Sequence, residues 1–124
     1  MDEDLKKELS KDPDGLLTYE YIANHIHEID PILDELIDNM IYVDLTGQFI
    51  VSAARYLHAI DKEKHHNAIT RLIESAINKD RERKYIGDLL TLWGPDYEER
   101  VSELMVTDNN FRRIYKRLYP SSAI

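Results

Sequence analysis

Residues 46–60 constrain the fold more than any other stretch, because nearly all of their side chains are apolar or small. On a helix, the polar side chains of Gln48, Ser52 and Arg55 fall on one narrow stripe. A helix that is apolar around most of its circumference must be covered by neighbours on several sides. The stretch from Thr46 to Ile60 is therefore predicted to be the central helix of a compact all-α bundle.

Helical spacing of apolar residues recurs along the rest of the chain and predicts about six helices with short connections. No stretch alternates with period two for more than a few residues, so no strand is predicted. No internal repeat at the spacing of solenoid proteins is recognised either. The predicted helix starts are Thr18, Asp30-Pro31, Thr46, Asp61, Asp80, Pro95 and Asp108. Gly47 is expected to break the chain just before the central helix.

The 124 residues fit one domain. Residues 1–17 are predicted to be a short helix or mobile arm followed by a turn at Asp12-Pro13-Asp14-Gly15. Residues 18–124 are predicted to form a single helical-bundle domain. The N-terminal residues do not resemble an export signal, and no apolar run reaches the roughly 18 residues of a membrane span. Together with the absence of cysteine, these features predict a cytoplasmic protein with no membrane partner.

Charge is distributed unevenly along the chain, whose net charge is −8. Residues 1–50 carry 13 acidic and 3 basic side chains, whereas residues 51–124 carry 11 acidic and 13 basic ones. This asymmetry predicts two oppositely charged faces, which satisfy each other within the fold or between copies. The acidic total argues against a protein that binds nucleic acid over its whole surface.

Histidine is the remaining candidate for a soft metal ligand in a chain without cysteine. His25 and His27 are two residues apart, and His65 and His66 are adjacent, so neither pair faces one side of a helix. Helical metal pairs need a spacing of three or four residues, and the spacings here match no known di-iron or zinc-protease motif. A structural or exposed role is therefore expected, with no metal and no cofactor.

An acidic face is predicted on the helix that follows Pro31, where carboxylates recur at helical spacing. Its candidate interaction residues are Asp30, Asp34, Glu35 and Asp38. Two readings remain open, a solvated face and a docking face for a basic partner.

A basic face is predicted on the last helix, opposite its apolar stripe. It comprises Arg112, Arg113, Lys116 and Arg117, with Tyr119 beside them. Cations next to phenol rings could hold phosphates and stack a base, or they could serve structural and protein-facing roles. Arg81, Arg83 and Lys84 would extend this patch only if the fold brings the two segments together.

Trp93 and Tyr97 flank the rigid turn Gly94-Pro95. Large aromatic side chains at such a turn favour either an exposed anchor for a partner or a plug at the end of the bundle.

No motif in the sequence indicates a reaction: there is no glycine-rich phosphate loop and no nucleophile elbow. The sequence therefore predicts a non-enzymatic adaptor or regulator that binds another protein through a helical face, as a monomer or a homodimer. An alternative is a nucleic-acid-associated accessory protein that uses the basic C-terminal helix. A weaker alternative is a small-molecule or metal-dependent enzyme with a site around His25, Tyr56 and His58.

Overall fold

A computed structural model describes residues 1–122, whose regular secondary structure is all helical, with no strand. The α-helices are α1 (Glu3–Ser10), α2 (Leu16–Asn24), α3 (Leu33–Val43), α4 (Gln48–Asp61), α5 (His66–Lys79), α6 (Val101–Thr107) and α7 (Asn109–Leu118). Four 3₁₀ segments join or extend them: Asp30–Ile32, Ile86–Trp93, Tyr97–Arg100 and Pro120–Ser122. The prediction of an all-α helical bundle is confirmed.

The central position of the apolar helix is also observed. α4 packs against α2, α3, α5 and the 3₁₀ segment Ile86–Trp93. Its buried side chains are Ile50, Val51, Ala53, Ala54 and Leu57. The small alanines allow neighbouring backbones to approach, while Gln48 and Arg55 remain exposed. Gly47 has a left-handed backbone (φ +92°), so the predicted break before this helix is present.

The helices are arranged in two layers. In one layer, α1 contacts α3, α3 contacts α5, and α5 contacts α7. In the other, α4 lies between α2 and the segment Ile86–Trp93 and contacts both. Helices thus stack side by side within each layer. α1 belongs to this stack, because Leu9 is buried and the Asn39 side chain of α3 donates to the Leu9 carbonyl.

Three buried aspartates build the turns between the stacked pairs. Asp12, Asp44 and Asp80 are 4%, 1% and 2% exposed, and each carboxylate accepts backbone N–H groups of the residues that follow it. Asp44 is the fullest case: Oδ1 binds the N–H groups of Thr46 and Gly47, and Oδ2 binds those of Phe49 and Ile50, at 2.9–3.0 Å. The carboxylate therefore satisfies amides at the start of α4 that lack intrahelical partners.

The residue three places after each aspartate has a positive φ: Gly15 (+106°), Gly47 (+92°) and Arg83 (+59°). Two features favour glycine at position 15, the left-handed backbone and the lack of room for a Cβ. A Cβ there would lie 3.1 Å from the Asp44 Cβ and 3.2 Å from the Met40 Sδ, so the first turn sits directly against the second. At Gly47, the nearest atom would be the Asp80 Cβ at 3.4 Å, which places the second turn beside the third.

A second contact links the same helix ends. In α1, α3 and α5, the carbonyl three residues before the turn aspartate accepts a hydrogen bond from a side chain of a later helix. Asn39 of α3 donates to Leu9, Lys79 of α5 donates to Ile41, and Arg117 of α7 donates to Ile77. Lys79 also donates to the Asp44 carbonyl, and Arg117 to the Asp80 carbonyl. These side chains satisfy C-terminal carbonyls of α1, α3 and α5.

This recurring turn was not recognised in the sequence. The aspartates are 32 and 36 residues apart, and the residue three positions after each is glycine twice and arginine once. A repeat that preserves one carboxylate and one backbone angle leaves too few identical residues to be detected as self-similarity.

Two helices begin at other residues than predicted, because a turn aspartate binds the amides that a standard N-cap would bind. α2 begins at Leu16 rather than Thr18, and Thr18 is a buried residue whose N–H and hydroxyl both donate to Asp12. α4 begins at Gln48, and Asp44 rather than Thr46 supplies most of the hydrogen bonds to its first turn. The capping group stands several residues upstream of the position that a standard N-cap occupies.

Three further starts also differ. Asp61 is the last residue of α4, and its carboxylate accepts from Lys64 in the turn before α5. The helix expected from Asp80 is a 3₁₀ segment that starts at Ile86. The helix expected from Pro95 is a 3₁₀ segment at Tyr97–Arg100 that leads into α6. Asp108 caps α7 as predicted, by accepting from the Phe111 N–H.

Within residues 1–122, no helix is long and apolar enough to cross a membrane.

Candidate functional site

The predicted acidic face is largely neutralised by basic groups of the same chain. Asp30 binds Lys64 at 2.8 Å, Glu35 binds the N-terminal ammonium of Met1 at 2.9 Å, and Asp38 binds Arg71. The hydrogen bond from Lys64 lowers the pKa of Asp30, and the pKa of Lys64 is raised in return. Such exposed pairs add little to stability, but they cancel charge.

Asp34 is exposed like these three but, unlike them, makes no ion pair with any residue in 1–122. The opposite charges predicted from the sequence thus meet partly within one molecule. A docking role for Asp30, Asp34, Glu35 and Asp38 stays a prediction.

Trp93 and Tyr97 pack around one buried ring, that of Phe111. The Trp93 ring lies edge-on to Phe111 at 5.5 Å, and the Tyr97 ring at 6.3 Å. The Trp93 indole N–H donates to the Asp108 carboxylate at 2.7 Å. Both side chains are half-buried, and burial raises the pKa of Tyr97. These contacts suit a plug, and a role in partner binding stays a prediction.

The three residues of the weaker enzyme hypothesis make separate contacts, and a common site for them stays a prediction. His25 stacks on Tyr21 at 4.2 Å and binds Glu28 at 3.2 Å. The Tyr56 hydroxyl donates to the Ala23 carbonyl of α2. His58 instead lines a cleft of about 580 Å³ between α4, α5 and the start of α7, together with His66 and Trp93. Within residues 1–122, no three side chains of His, Asp or Glu are grouped as a metal site would require.

The fold joins the two basic segments, which sequence spacing alone left open. Arg81, Arg83, Lys116 and Arg117 line one hollow of about 300 Å³ beside Pro120. The Arg83 guanidinium donates to the Arg117 carbonyl at 3.3 Å. Since Arg117 also holds the end of α5, the C-terminal helix and the third turn form one basic edge.

Several of these cations are engaged in the fold. Arg117 binds the Ile77 and Asp80 carbonyls, Arg113 binds the Asn78 side chain at 3.1 Å, and Arg112 binds the Met105 carbonyl at 3.3 Å. In contrast, the side chains of Arg81 and Lys116 are exposed and have no hydrogen bond or ion pair with any described residue. Tyr119 is 47% exposed and lies against Tyr115 at 4.8 Å.

An apolar patch at the first two turns was missed by the sequence reasoning. We call it the turn patch, and it consists of Leu16, Leu17, Tyr42 and Leu45, which are 40%, 48%, 74% and 77% exposed. Leu16 and Leu17 follow Gly15, and Gly15 lies against Asp44, the residue before Leu45, so the two segments that carry these side chains meet at the first two turns. Leu45 also lines a hollow with residues of the third turn, among them Lys79 and Tyr85. The sequence signal was that Leu16, Leu17 and Tyr42 lie outside the apolar stripes of α2 and α3, and that Leu45 lies between two helices.

Fold and surfaces together define a small all-helical protein of stacked helix pairs, with an apolar turn patch and a basic edge. Comparisons with protein-family models, with curated proteins and with solved structures found no match.

Proposed function

We propose that this chain is a non-enzymatic protein-interaction module, an adaptor or regulator, and that its turn patch binds the partner. The observation that carries the proposal is the exposure of four large apolar side chains in and beside the first two turns. Single exposed apolar residues are ordinary on protein surfaces, whereas a group of them is typical of an interaction site.

The backbone beneath the turn patch supports this role because it is held rigidly. Asp12 and Asp44 fix the two turns through buried carboxylates, and Gly15 brings them into contact. A rigid platform loses little conformational entropy when a partner binds, so more of the contact energy appears as affinity. Leucine and tyrosine side chains on such a platform suit a partner with an apolar helical or extended segment. The cytoplasmic location expected from the sequence remains part of this proposal.

Site-specific photo-crosslinking in the source cell tests the proposal. A photoreactive amino acid is placed at position 45, in the turn patch, and in a control at position 106. Val106 is 80% exposed but lies alone on α6, so it matches the exposure of Leu45 without the patch. The expected result is a discrete protein adduct from position 45 that is absent from position 106.

The Tyr42→Asp substitution supplies the second arm, because Tyr42 is 74% exposed and its replacement leaves the core intact. It should abolish the adduct from position 45 and leave the melting temperature unchanged. Equal adducts from positions 45 and 106, or no adduct from either, would contradict the proposal.

Self-association is distinguished by the mass of the adduct. An adduct of twice the 14.6 kDa chain mass would identify a second copy as the partner. Sedimentation equilibrium should then show a concentration-dependent homodimer that Tyr42→Asp disrupts.

A further inference from the structure

The basic edge contains two hollows that share a wall. Lys116 and Arg117 line both of them. The first hollow, of about 300 Å³, also has Arg81 and Arg83 in its lining. The second, of about 410 Å³, adds Arg113 together with the neutral Ile77 and Asn78. Two adjoining hollows lined by cations form a short basic groove, which accommodates an extended ligand better than a single small ion.

No acidic side chain lines either hollow, although the whole chain carries a net charge of −8. The two carboxylates of the third turn line a neighbouring hollow together with Arg81, and each is engaged by other groups. Glu82 pairs with Lys84 at 2.8 Å, and the Asp80 carboxylate accepts the N–H groups of Lys84, Tyr85 and Ile86. The groove therefore keeps its positive charge within an acidic molecule, which favours an anionic ligand.

The groove contains both fixed and available donors. Arg117 is anchored on the Ile77 and Asp80 carbonyls, which fixes its position in the wall shared by the hollows. A guanidinium has five N–H donors, so two contacts of this kind leave others for a ligand. The exposed Arg81 and Lys116 have no side-chain partner within residues 1–122. Fixed and available cations thus line the same groove, and such an arrangement suits phosphate oxygens.

An aromatic platform stands at the end of the same helix. Tyr119 is 47% exposed, and its ring is tilted against Tyr115 at 4.8 Å, which is itself stacked on Phe111 at 5.6 Å. The row of rings leads from the core to the surface and holds the outermost ring in place. Tyr119 follows Lys116 by three residues and directly precedes Pro120, and both of these residues line the first hollow. Aromatic rings near a basic groove bind unstacked bases of single strands with little sequence preference.

We propose that the groove binds single-stranded nucleic acid, with consecutive phosphates in the two hollows and one base on Tyr119. The proposal goes beyond the protein-binding function, since it uses none of the turn-patch residues. The linked hollows favour a phosphodiester chain over a lone phosphate, and the exposed ring favours a nucleic acid over a phosphorylated peptide.

Fluorescence anisotropy with a labelled twelve-nucleotide oligothymidylate tests the groove. At 50 mM salt, the Arg81→Glu/Lys116→Glu variant should bind at least about tenfold more weakly than the wild type, because it reverses the two available cations. The matched control is Lys11→Glu/Lys62→Glu, which makes the same change in net charge at exposed positions outside the groove. The control should change the logarithm of the dissociation constant by less than half of the change that the groove variant causes.

Salt dependence provides an independent readout. If about three phosphates are neutralised, a fourfold rise in salt should weaken binding roughly 20-fold. An absence of binding at 50 mM salt, or equal losses in the groove variant and the charge-matched control, would overturn the proposal.

Tyr119→Ala separates nucleic acid from other polyanions. It should weaken oligothymidylate binding severalfold and leave the binding of inorganic polyphosphate unchanged, because polyphosphate has no base to stack. Tyr42→Ala is the control, since Tyr42 is an exposed tyrosine in the turn patch. Polyphosphate or a phosphoserine peptide that binds more tightly than the oligonucleotide, with no effect of Tyr119→Ala, would overturn the assignment to nucleic acid.

Discussion

The second and third turns are each built around a buried aspartate, Asp44 and Asp80, but they differ at the residue three positions after it. In the second turn this residue is Gly47, which is buried and faces Asp80 of the next turn. In the third turn it is Arg83, which is exposed, adopts a positive φ of +59° and reaches the Arg117 carbonyl. The aspartate therefore determines the path of the chain in both turns, and the neighbouring element determines which side chain is tolerated.

The residue at this position also differs between turns that pack against another turn and the turn that contributes to a surface groove. Where another turn packs alongside, as at Gly15 and Gly47, the position is glycine. Where the stack ends, at Arg83, the position carries a cation that joins the basic groove. The interior turns thus serve the fold, whereas the last turn accepts backbone strain and exposes a charged side chain.

The largest expected effect comes from removing the carboxylate of the second turn. Asp44→Ala leaves four backbone N–H groups without their acceptor, two of them on the buried residues Gly47 and Ile50. Since each unsatisfied buried donor costs about 1–3 kcal/mol, a loss of about 3–5 kcal/mol in the free energy of unfolding is expected. Urea denaturation measures it, with Asp34→Ala as the exposed control. Equal losses for the two variants would show that the turn does not depend on the carboxylate.

The next effect compares the two glycines. Gly15→Ala should lower the free energy of unfolding by about 2–3 kcal/mol, because it adds crowding at 3.1–3.2 Å to the left-handed backbone. Gly47→Ala should cost about 1–2 kcal/mol, since its Cβ would meet its neighbours at ordinary distances of 3.4–3.7 Å. Urea denaturation of both variants gives the order, and a reversed order would contradict the close contact of the first two turns.

Acid titration examines the first turn. Burial alone would raise the pKa of Asp12, but hydrogen bonds from Thr18, Gly15 and Asp14 outweigh it, and the pKa lies below its usual value of 3.8. A depressed pKa contributes stability that is present above pH 3.8 and is lost as the pH falls through the folded-state value. The stability difference between the wild type and Asp12→Asn should therefore shrink below about pH 4. A difference that is constant from pH 7 to pH 2.5 would contradict this role for the ionised carboxylate.

The smallest expected effect is an increase in stability. Arg83→Gly should raise the free energy of unfolding by up to about 1 kcal/mol, because glycine adopts a positive φ without strain. The same substitution should weaken oligothymidylate binding, since it removes one cation from the groove. Thermal denaturation and anisotropy of the same sample measure the two quantities. A variant that is less stable by more than 1 kcal/mol would show that the Arg83 contact with the Arg117 carbonyl outweighs the strain.

The sequence was sufficient for the fold class and for the central helix. Apolar spacing reports which face of a helix is covered, so the stripes of α3, α4, α5 and α7 could be read directly. The turns were less accessible, because Asp44 and Asp80 bind amides five and six residues ahead, beyond the span of a standard cap.

The candidate surfaces, like the fold, could be predicted from the sequence only in part. The cations of the basic edge were identified by composition, but the union of Arg81 and Arg83 with α7 requires α5 and α7 to be neighbours. The turn patch depends on the contact at Gly15, which joins residues about 30 positions apart in the chain. Local patterns carry no information about such pairings.

Amide hydrogen exchange tests the central claim, that buried aspartates hold the stacked turns, most directly. The amides of Phe49, Ile50, Tyr85 and Ile86 bind the Asp44 and Asp80 carboxylates and should exchange only through global unfolding. The amide of Asn67 provides the comparison, because it lies in the first turn of α5, which has no side-chain cap, and it should exchange much faster. Exchange of the four carboxylate-bound amides at the rate of Asn67 would contradict the account.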